Sequence, residues 1–212
     1  PDGPDVSLAA PGERSGPLVV AIDPGHGGID PGATRGTVHE ADLMLQLGIE
    51  VAEAINRGGV MHAVLTRNTD DFVPLEERMT IARAAGAGVM LSLHADALDD
   101  DVTRGASAYT LNAEGQDGAA QRMAERHERG DLLSGLDLTG QDDRVATVLM
   151  DMARAETTPA SHRLADALIA GLRGTEAAVN SRPRREGHLA VLNAADFPSV
   201  LLEAGFLSNA DD

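Results

Sequence analysis

The 212-residue chain contains no cysteine, no lysine and no tryptophan, and its aromatic complement is three Phe and one Tyr. Without cysteine there are no disulfides, no thiolate zinc sites and no thiol nucleophile, and the chain suits an oxidising or a reducing compartment equally. All 17 basic residues are arginine, which excludes Schiff-base chemistry on lysine and a P-loop lysine. The few aromatics argue against a platform for stacking sugar rings. No apolar run approaches the ~20 residues of a membrane-spanning helix, so membrane insertion is not expected, and no secretory leader is present. The chain starts at Pro1 rather than Met, which reads as a processed product or an excised piece. What is plentiful is negative charge, a net −17, and this argues against nucleic acid as a partner. The length fits one domain with a sizeable core.

Residues 1–17 hold four Pro and three Gly without apolar periodicity and read as a linker tail. The chain then turns to Leu18-Val19-Val20-Ala21-Ile22, a buried strand, which stops at Asp23-Pro24-Gly25 and is followed by His26 between glycines. Glycine on either side permits φ > 0 and leaves the imidazole unshielded. Open α/β sheets place their sites at this carboxyl end of a strand. One such turn carries little meaning, but the arrangement recurs. Val89 to Leu93 is an apolar strand ending in His94, and Ser199 to Leu202 is another ending in Glu203. Three strands that deliver metal-binding or acid–base side chains to one edge form a constellation.

The remainder alternates strand and helix. A helix is expected from Glu40 to about Asn56, with Leu43, Met44, Leu47, Val51, Ala54 and Ile55 as its apolar stripe and Gly58-Gly59 as its stop. Val60–Thr66 reads as a strand, Leu75–Ala85 as an amphipathic helix, Gly105–Leu111 as a strand, and residues 145–172 as helical, with Pro159 either kinking that helix or opening a second one. Arg182-Pro183-Arg184-Arg185 reads as a basic loop and His188–Leu192 as a strand. The pattern between 112 and 144 changes to Gly/Asp/Gln-rich turns around one helix, 117–129, and looks inserted. The expected fold class is α/β, a single domain with a mostly parallel twisted sheet of about six strands flanked by helices.

Catalytic zinc takes three protein ligands and keeps one position open. His26 and His94 supply two nitrogens. The third ligand must be an acid or histidine near the same edge, for which Glu40, Asp23, Asp30 and His39 are candidates; Asp23 suits a supporting position behind a ligand histidine equally well. Thr37-x-x-Glu40 also matches a capping box, in which the glutamate serves the helix instead. Glu203 is suited to general-base work. His39-Glu40-Ala41-Asp42-Leu43 lacks the second histidine of H-E-x-x-H, and the glycines after the first strand lack the helix start and the distal acid of a dinucleotide loop.

Taken together, IDPGHGGIDPGA, EADLML, LTRNTD, LEER at 75–78, SLHADA and PSVLLEAGFLSN resemble the zinc-dependent N-acetylmuramoyl-L-alanine amidases of type 3, from about Leu18 to the end. The resemblance implies a catalytic domain over 18–212, Zn²⁺ ligated by His26, Glu40 and His94, and Glu203 as the catalytic acid–base. The Arg67 and Arg78 motifs look structural in that comparison. The implied reaction is hydrolysis of the amide joining N-acetylmuramic acid to L-alanine in peptidoglycan, by a monomer in the bacterial periplasm. Residues 112–144 resemble the regulatory insertion of the cell-separation members, whose helix plugs the zinc cleft until a LytM-domain activator of the divisome relieves it. In those members the plug is an acidic side chain; here His127 lies on the apolar stripe of Ala120, Met123 and Ala124, a departure, with Glu125 and Glu128 beside it, and these three are the candidate autoinhibitory residues.

Overall fold

The computed structural model describes residues 16–98, 102–112 and 144–212. The apolar run after the linker forms β1 (Leu18–Pro24), whose last five residues are buried. A two-strand hairpin, β2 (Thr34–Arg35) and β3 (Val38–His39), leads into α1 (Glu40–Gly58). Gly59 ends that helix in the left-handed conformation (φ 70°), its N–H donating to Asn56 O, the stop that the glycine pair predicts. Next come β4 (Met61–Leu65), α2 (Leu75–Ala84), β5 (Val89–His94), β6 (Ala106–Leu111), α3 (Arg144–Arg173), β7 (Val179–Gly187), a short 3₁₀ turn at Ala190–Leu192, and β8 (Ser199–Glu203).

Six strands form one sheet in the order β4-β1-β5-β8-β6-β7. β4, β1, β5 and β8 run parallel, while β6 runs antiparallel to β8 and parallel to β7. The sheet is therefore mostly parallel, and the carboxyl ends of β1, β5 and β8 lie side by side at one edge. Strand alternation divides the core in two. Val20, Ile22, Leu91, Leu93, Val200 and Leu202 face one layer, with Met44 and Ala52 of α1 and Ala165 and Ile169 of α3. Ala21, Met90 and Leu201 face the other, with Met79 and Ala82 of α2 and Leu189, Leu192 and Phe197. By the same alternation Asp23, Ser92, His94 and Glu203 belong to the α2 side.

Three expectations need correction. Arg182–Arg185 is part of strand β7, not a loop. Pro183 is tolerated there because β7 is the outermost strand and its register jumps from Ala106↔Val179 to Ala108↔Arg184, freeing the intervening residues from ladder pairing. Residues 188–192 do not form a strand; Leu189, Val191 and Leu192 are buried through the 3₁₀ turn beneath α2, so an apolar run signalled burial rather than pairing. The stripe of α1 holds only in part: Met44 is buried and Leu47, Val51 and Ile55 pack against the core, but Leu43 is 41% exposed and Ala54 is exposed, and Ala41, Gly48 and Ala52 are buried instead. Small residues face inward because the helix lies close on the strand, and a Cβ on Gly48 would stand 2.7 Å from Pro24 Cγ. Pro159 sits inside one helix, α3, and does not open a second. The helix expected at 117–129 lies outside the described residues.

Candidate metal centre

His26, Glu40 and His94 meet at the carboxyl edge of the sheet. One ligand atom from each lies within 4.8 Å of the other two. His26 Nε2 is 3.2 Å from Glu40 Oε2, and His94 Nδ1 is 3.0 Å from Glu40 Oε1. The two imidazoles stand edge to face with ring centres 5.0 Å apart.

Each side chain is delivered by a different local device. His94 ends β5, and Gly25 leaves room for it: a Cβ there would lie 2.3 Å from His94 Cε1. His26 follows β1 in a left-handed backbone conformation (φ 59°), the one non-glycine residue with positive φ among the described residues. That conformation costs a non-glycine residue about 1–2 kcal/mol, so the surroundings must hold it. Glu40 is the first residue of α1. His39 occupies the N-cap position without a side-chain cap bond, so the capping-box alternative fails. The Glu40 carboxylate reaches back into the site instead, where Oε2 accepts from Ala33 N at 2.8 Å and Oε1 from Ala95 N at 2.9 Å. The small hairpin makes this possible by setting Glu40 N on Ala33 O and Ala41 N on Pro31 O. Gly32 is the complementary vacancy: its Cβ would collide with both His26 and Glu40, at 2.6 and 2.7 Å.

The other candidates are not part of the converging trio. Asp30 Oδ2 accepts from His26 Nδ1 at 2.7 Å, which commits that nitrogen and turns Nε2 toward Glu40, the usual arrangement behind a ligand histidine. Asp23 is buried below the loop, bonded to Thr66, Ser92 and Arg78. His39 does not join the trio. Glu203 is fully buried and is the register partner of His94 on the adjacent strand, so both side chains leave the same face of the sheet. Asp96 N donates to Glu203 Oε1. His127, Glu125 and Glu128 lie outside the described residues.

The electrostatics suit a cation. Burial works against a charged imidazole at His26, yet the hydrogen bonds and charges of Asp30 and Glu40 push it up to about 10. Burial likewise opposes ionisation of Glu40, but His26 and His94 hold its carboxyl well below the usual range. Positive charge is thus drawn to the point where two imidazoles and a carboxylate converge. Two nitrogens and one carboxylate oxygen form a catalytic zinc donor set, and the residues present fit that ion. A cleft walled by Phe72, Leu75 and Val191 opens beside His26, Asp30 and His94.

Arg67 and Arg78 carry a larger share of this site than sequence reasoning assigned them. Both are buried, and their donors reach backbone carbonyls of the His26 loop. Local sequence shows little sign of this, since Arg67 sits in Thr66-Arg67-Asn68 and Arg78 follows Glu76-Glu77.

Burial disfavours a charged Asp23, but the Arg78 charge and the hydrogen bonds from Thr66, Arg78 and Ser92 outweigh it and lower its pKa. A carboxylate with a lowered folded-state pKa stabilises fully above its unfolded value and loses that contribution as pH falls through the folded one. Asp23→Asn, which leaves Arg78 buried without its counter-charge, is expected to cost on the order of 3–5 kcal/mol at pH 7. In urea melts the gap from wild type should narrow below the ordinary aspartate range, near pH 3.9; a gap that stays constant to pH 2 would mean that the ion pair contributes nothing.

The Amidase_3 family model, described as N-acetylmuramoyl-L-alanine amidase, matches residues 20–212. The chain is 33% identical over 202 residues to N-acetylmuramoyl-L-alanine amidase AmiA of Escherichia coli K12, covering 94% of this chain and 69% of that one. It is 33% identical over 201 residues to AmiC of Escherichia coli O6:H1, covering 94% and 48%, so the chain spans about half the length of that relative. Among solved structures it superposes on AmiC2 of Nostoc punctiforme with a TM-score of 0.59 at 25% identity, covering 94% of this chain and 85% of that chain. For apo Ami1 of Mycobacterium abscessus the TM-score is 0.63 at 18% identity, over 92% and 86%, a likeness of fold.

Proposed function

The chain belongs to the N-acetylmuramoyl-L-alanine amidase family, and on that premise we propose that it hydrolyses the amide between N-acetylmuramic acid and the L-alanine of the peptidoglycan stem. The observation that carries this reading is the convergence of His26, Glu40 and His94 within 4.8 Å, beside a buried glutamate in register with His94.

His26, Glu40 and His94 would hold Zn²⁺. When bound, zinc supplies Lewis acidity that polarises the scissile carbonyl and acidifies water. Glu203 accepts a proton from the attacking water and returns it to the leaving nitrogen of L-alanine, so one carboxylate serves as base and then as acid. Asp96 N–H fixes one oxygen of that carboxylate and thereby its orientation. Asp30 holds His26 in the tautomer that points Nε2 at the site. The cleft wall of Phe72, Leu75 and Val191 shields the reacting amide from bulk water. No serine, cysteine or lysine nucleophile is required, in keeping with a chain that lacks two of the three.

The closest rival is a zinc carboxypeptidase acting on the stem peptide. Digestion of purified cell wall separates the two: the amidase reading expects intact stem peptides and unsubstituted glycan among the products, whereas release of a terminal amino acid with the stem still attached would favour the rival. A noncatalytic peptidoglycan-binding module would release neither.

The proposal extends to cell-wall remodelling and daughter-cell separation in the periplasm by a monomeric enzyme, with residues 1–17 as a linker tail. It also includes autoinhibition by the inserted segment at about 112–144, through His127, Glu125 or Glu128 and relieved by a LytM-domain activator; the family resemblance of that segment supports this. No described helix is long and apolar enough to cross a membrane. Deleting residues 115–140 is expected to raise cell-wall hydrolysis in the absence of any activator; unchanged hydrolysis by a folded deletion variant would remove the autoinhibition reading.

A further inference from the structure

Three consecutive carbonyls around the left-handed residue His26 are taken by two buried guanidinium groups. Pro24 O accepts from Arg67 Nε at 3.0 Å and from Arg78 Nη1 at 2.5 Å. Gly25 O accepts from Arg67 Nη2 at 2.8 Å, and His26 O from Arg78 Nη2 at 2.6 Å. The two arginines come from separate elements. Arg67 follows β4, and its Nη2 also donates to Ala41 O at 2.7 Å, the residue next to Glu40. Arg78 lies in α2, where Nε donates to Val73 O at 2.7 Å and Nη1 meets the Asp23 carboxylate at 2.9 Å.

We propose that Arg67 and Arg78 are positioning residues for the metal centre, a two-guanidinium clamp that holds the His26 backbone left-handed and locks its imidazole onto Glu40. At φ 59° the carbonyls on both sides of His26 accept from guanidinium groups, and buried carbonyls must be bonded. A hydrogen-bonding fork of fixed planar shape can satisfy several at once and set their relative directions; a lysine ammonium cannot. Arg67 also spans from the Gly25 carbonyl to that of Ala41, so it ties the loop bearing one ligand to the helix bearing another. If the clamp is removed, His26 is free to relax to negative φ, which swings the ring off Glu40. Asp23 contributes by holding Arg78 in place while itself anchored by Thr66 and Ser92.

This inference rests on the zinc reading above, and its test does not depend on amide hydrolysis. Zinc affinity of the full chain would be measured by competition with a chromophoric chelator, and the Co²⁺-substituted absorption spectrum recorded, for wild type, Arg67→Lys, Arg78→Lys and Arg83→Lys. Melting of each metal-free protein reports folding separately. Both clamp variants are expected to bind zinc at least about tenfold more weakly, the scale of lost support behind a ligand, and to show an altered Co²⁺ spectrum while still folded at 25 °C. Arg83→Lys, whose side chain pairs with Asp196 at the surface, should match wild type in both readouts. Clamp variants that melt lower yet keep wild-type zinc affinity and an unaltered Co²⁺ spectrum would overturn the proposal and leave the arginines as buried structural cations. If Arg78→Lys does not fold, Arg67→Lys decides the matter. A wild-type protein that takes up no zinc would instead sink the metal reading itself.

Discussion

Glu203→Gln is expected to lower turnover by about 10²–10⁴-fold, the usual contribution of a positioned general acid–base, while zinc content stays at the wild-type level. This corresponds to about 3–5 kcal/mol of transition-state stabilisation. The substitution is nearly isosteric at a fully buried position, and the amide oxygen of Gln still accepts from Asp96 N, so the strand end keeps its shape. What disappears is the ability to take and return a proton. Steady-state hydrolysis of purified peptidoglycan, with metal analysis of the same sample, checks both halves of the expectation. Loss of zinc together with turnover would make Glu203 a ligand; survival of turnover would place the base elsewhere.

His94→Ala is expected to bring zinc content down to background and hydrolysis with it. Catalytic zinc sites hold their ion with three protein donors, and Glu40 faces His94 at 3.0 Å on one oxygen and His26 at 3.2 Å on the other. Removing His94 leaves one imidazole and one carboxylate, too few donors to retain zinc against a chelator. The vacancy opens directly over Gly25, whose missing Cβ accommodates the ring, so the rest of the edge has no packing reason to collapse. Equilibrium dialysis followed by elemental analysis is the measurement. Wild-type zinc retention by a folded His94→Ala protein would remove this histidine from the metal centre.

Much of the site was legible because metal ligation imposes residue types that stand out in a chain of this composition. A histidine directly after β1 and another ending β5 are visible as breaks in apolar runs, and Glu203 is a charge where a parallel-sheet core admits few. Glu40 was ambiguous on local grounds: Thr37-x-x-Glu40 has the spacing of a helix cap, and no local pattern shows that the cap position falls to His39. The clamp arginines were harder still. Arg67 looks like the start of a loop and Arg78 like the polar face of α2, and their partners are backbone carbonyls, which carry no sequence signal. The same limit applies to β7 and to the 190–192 turn. Pro183 argued locally for a loop and Leu189 to Leu192 for a strand; an edge position and a burial requirement reversed both.

The sequence by itself determined the layered α/β plan, the order of the strands that end in His94 and Glu203, and the donor types available, since hydrophobic periodicity and side-chain chemistry are properties of the chain that survive without coordinates. Only the tertiary structure decided that β5 and β8 are neighbours in the register that sets His94 beside Glu203, that the hairpin turns Glu40 back onto both histidines, and that two distant arginines close on the His26 carbonyls. Each of these is a contact between segments 14 to 109 residues apart, such as Glu40 with His26 and Glu203 with His94, brought together by crossover connections and by backbone and side-chain hydrogen bonds. Periodicity along the chain reports which face of an element is buried; it does not report which other element comes to cover it.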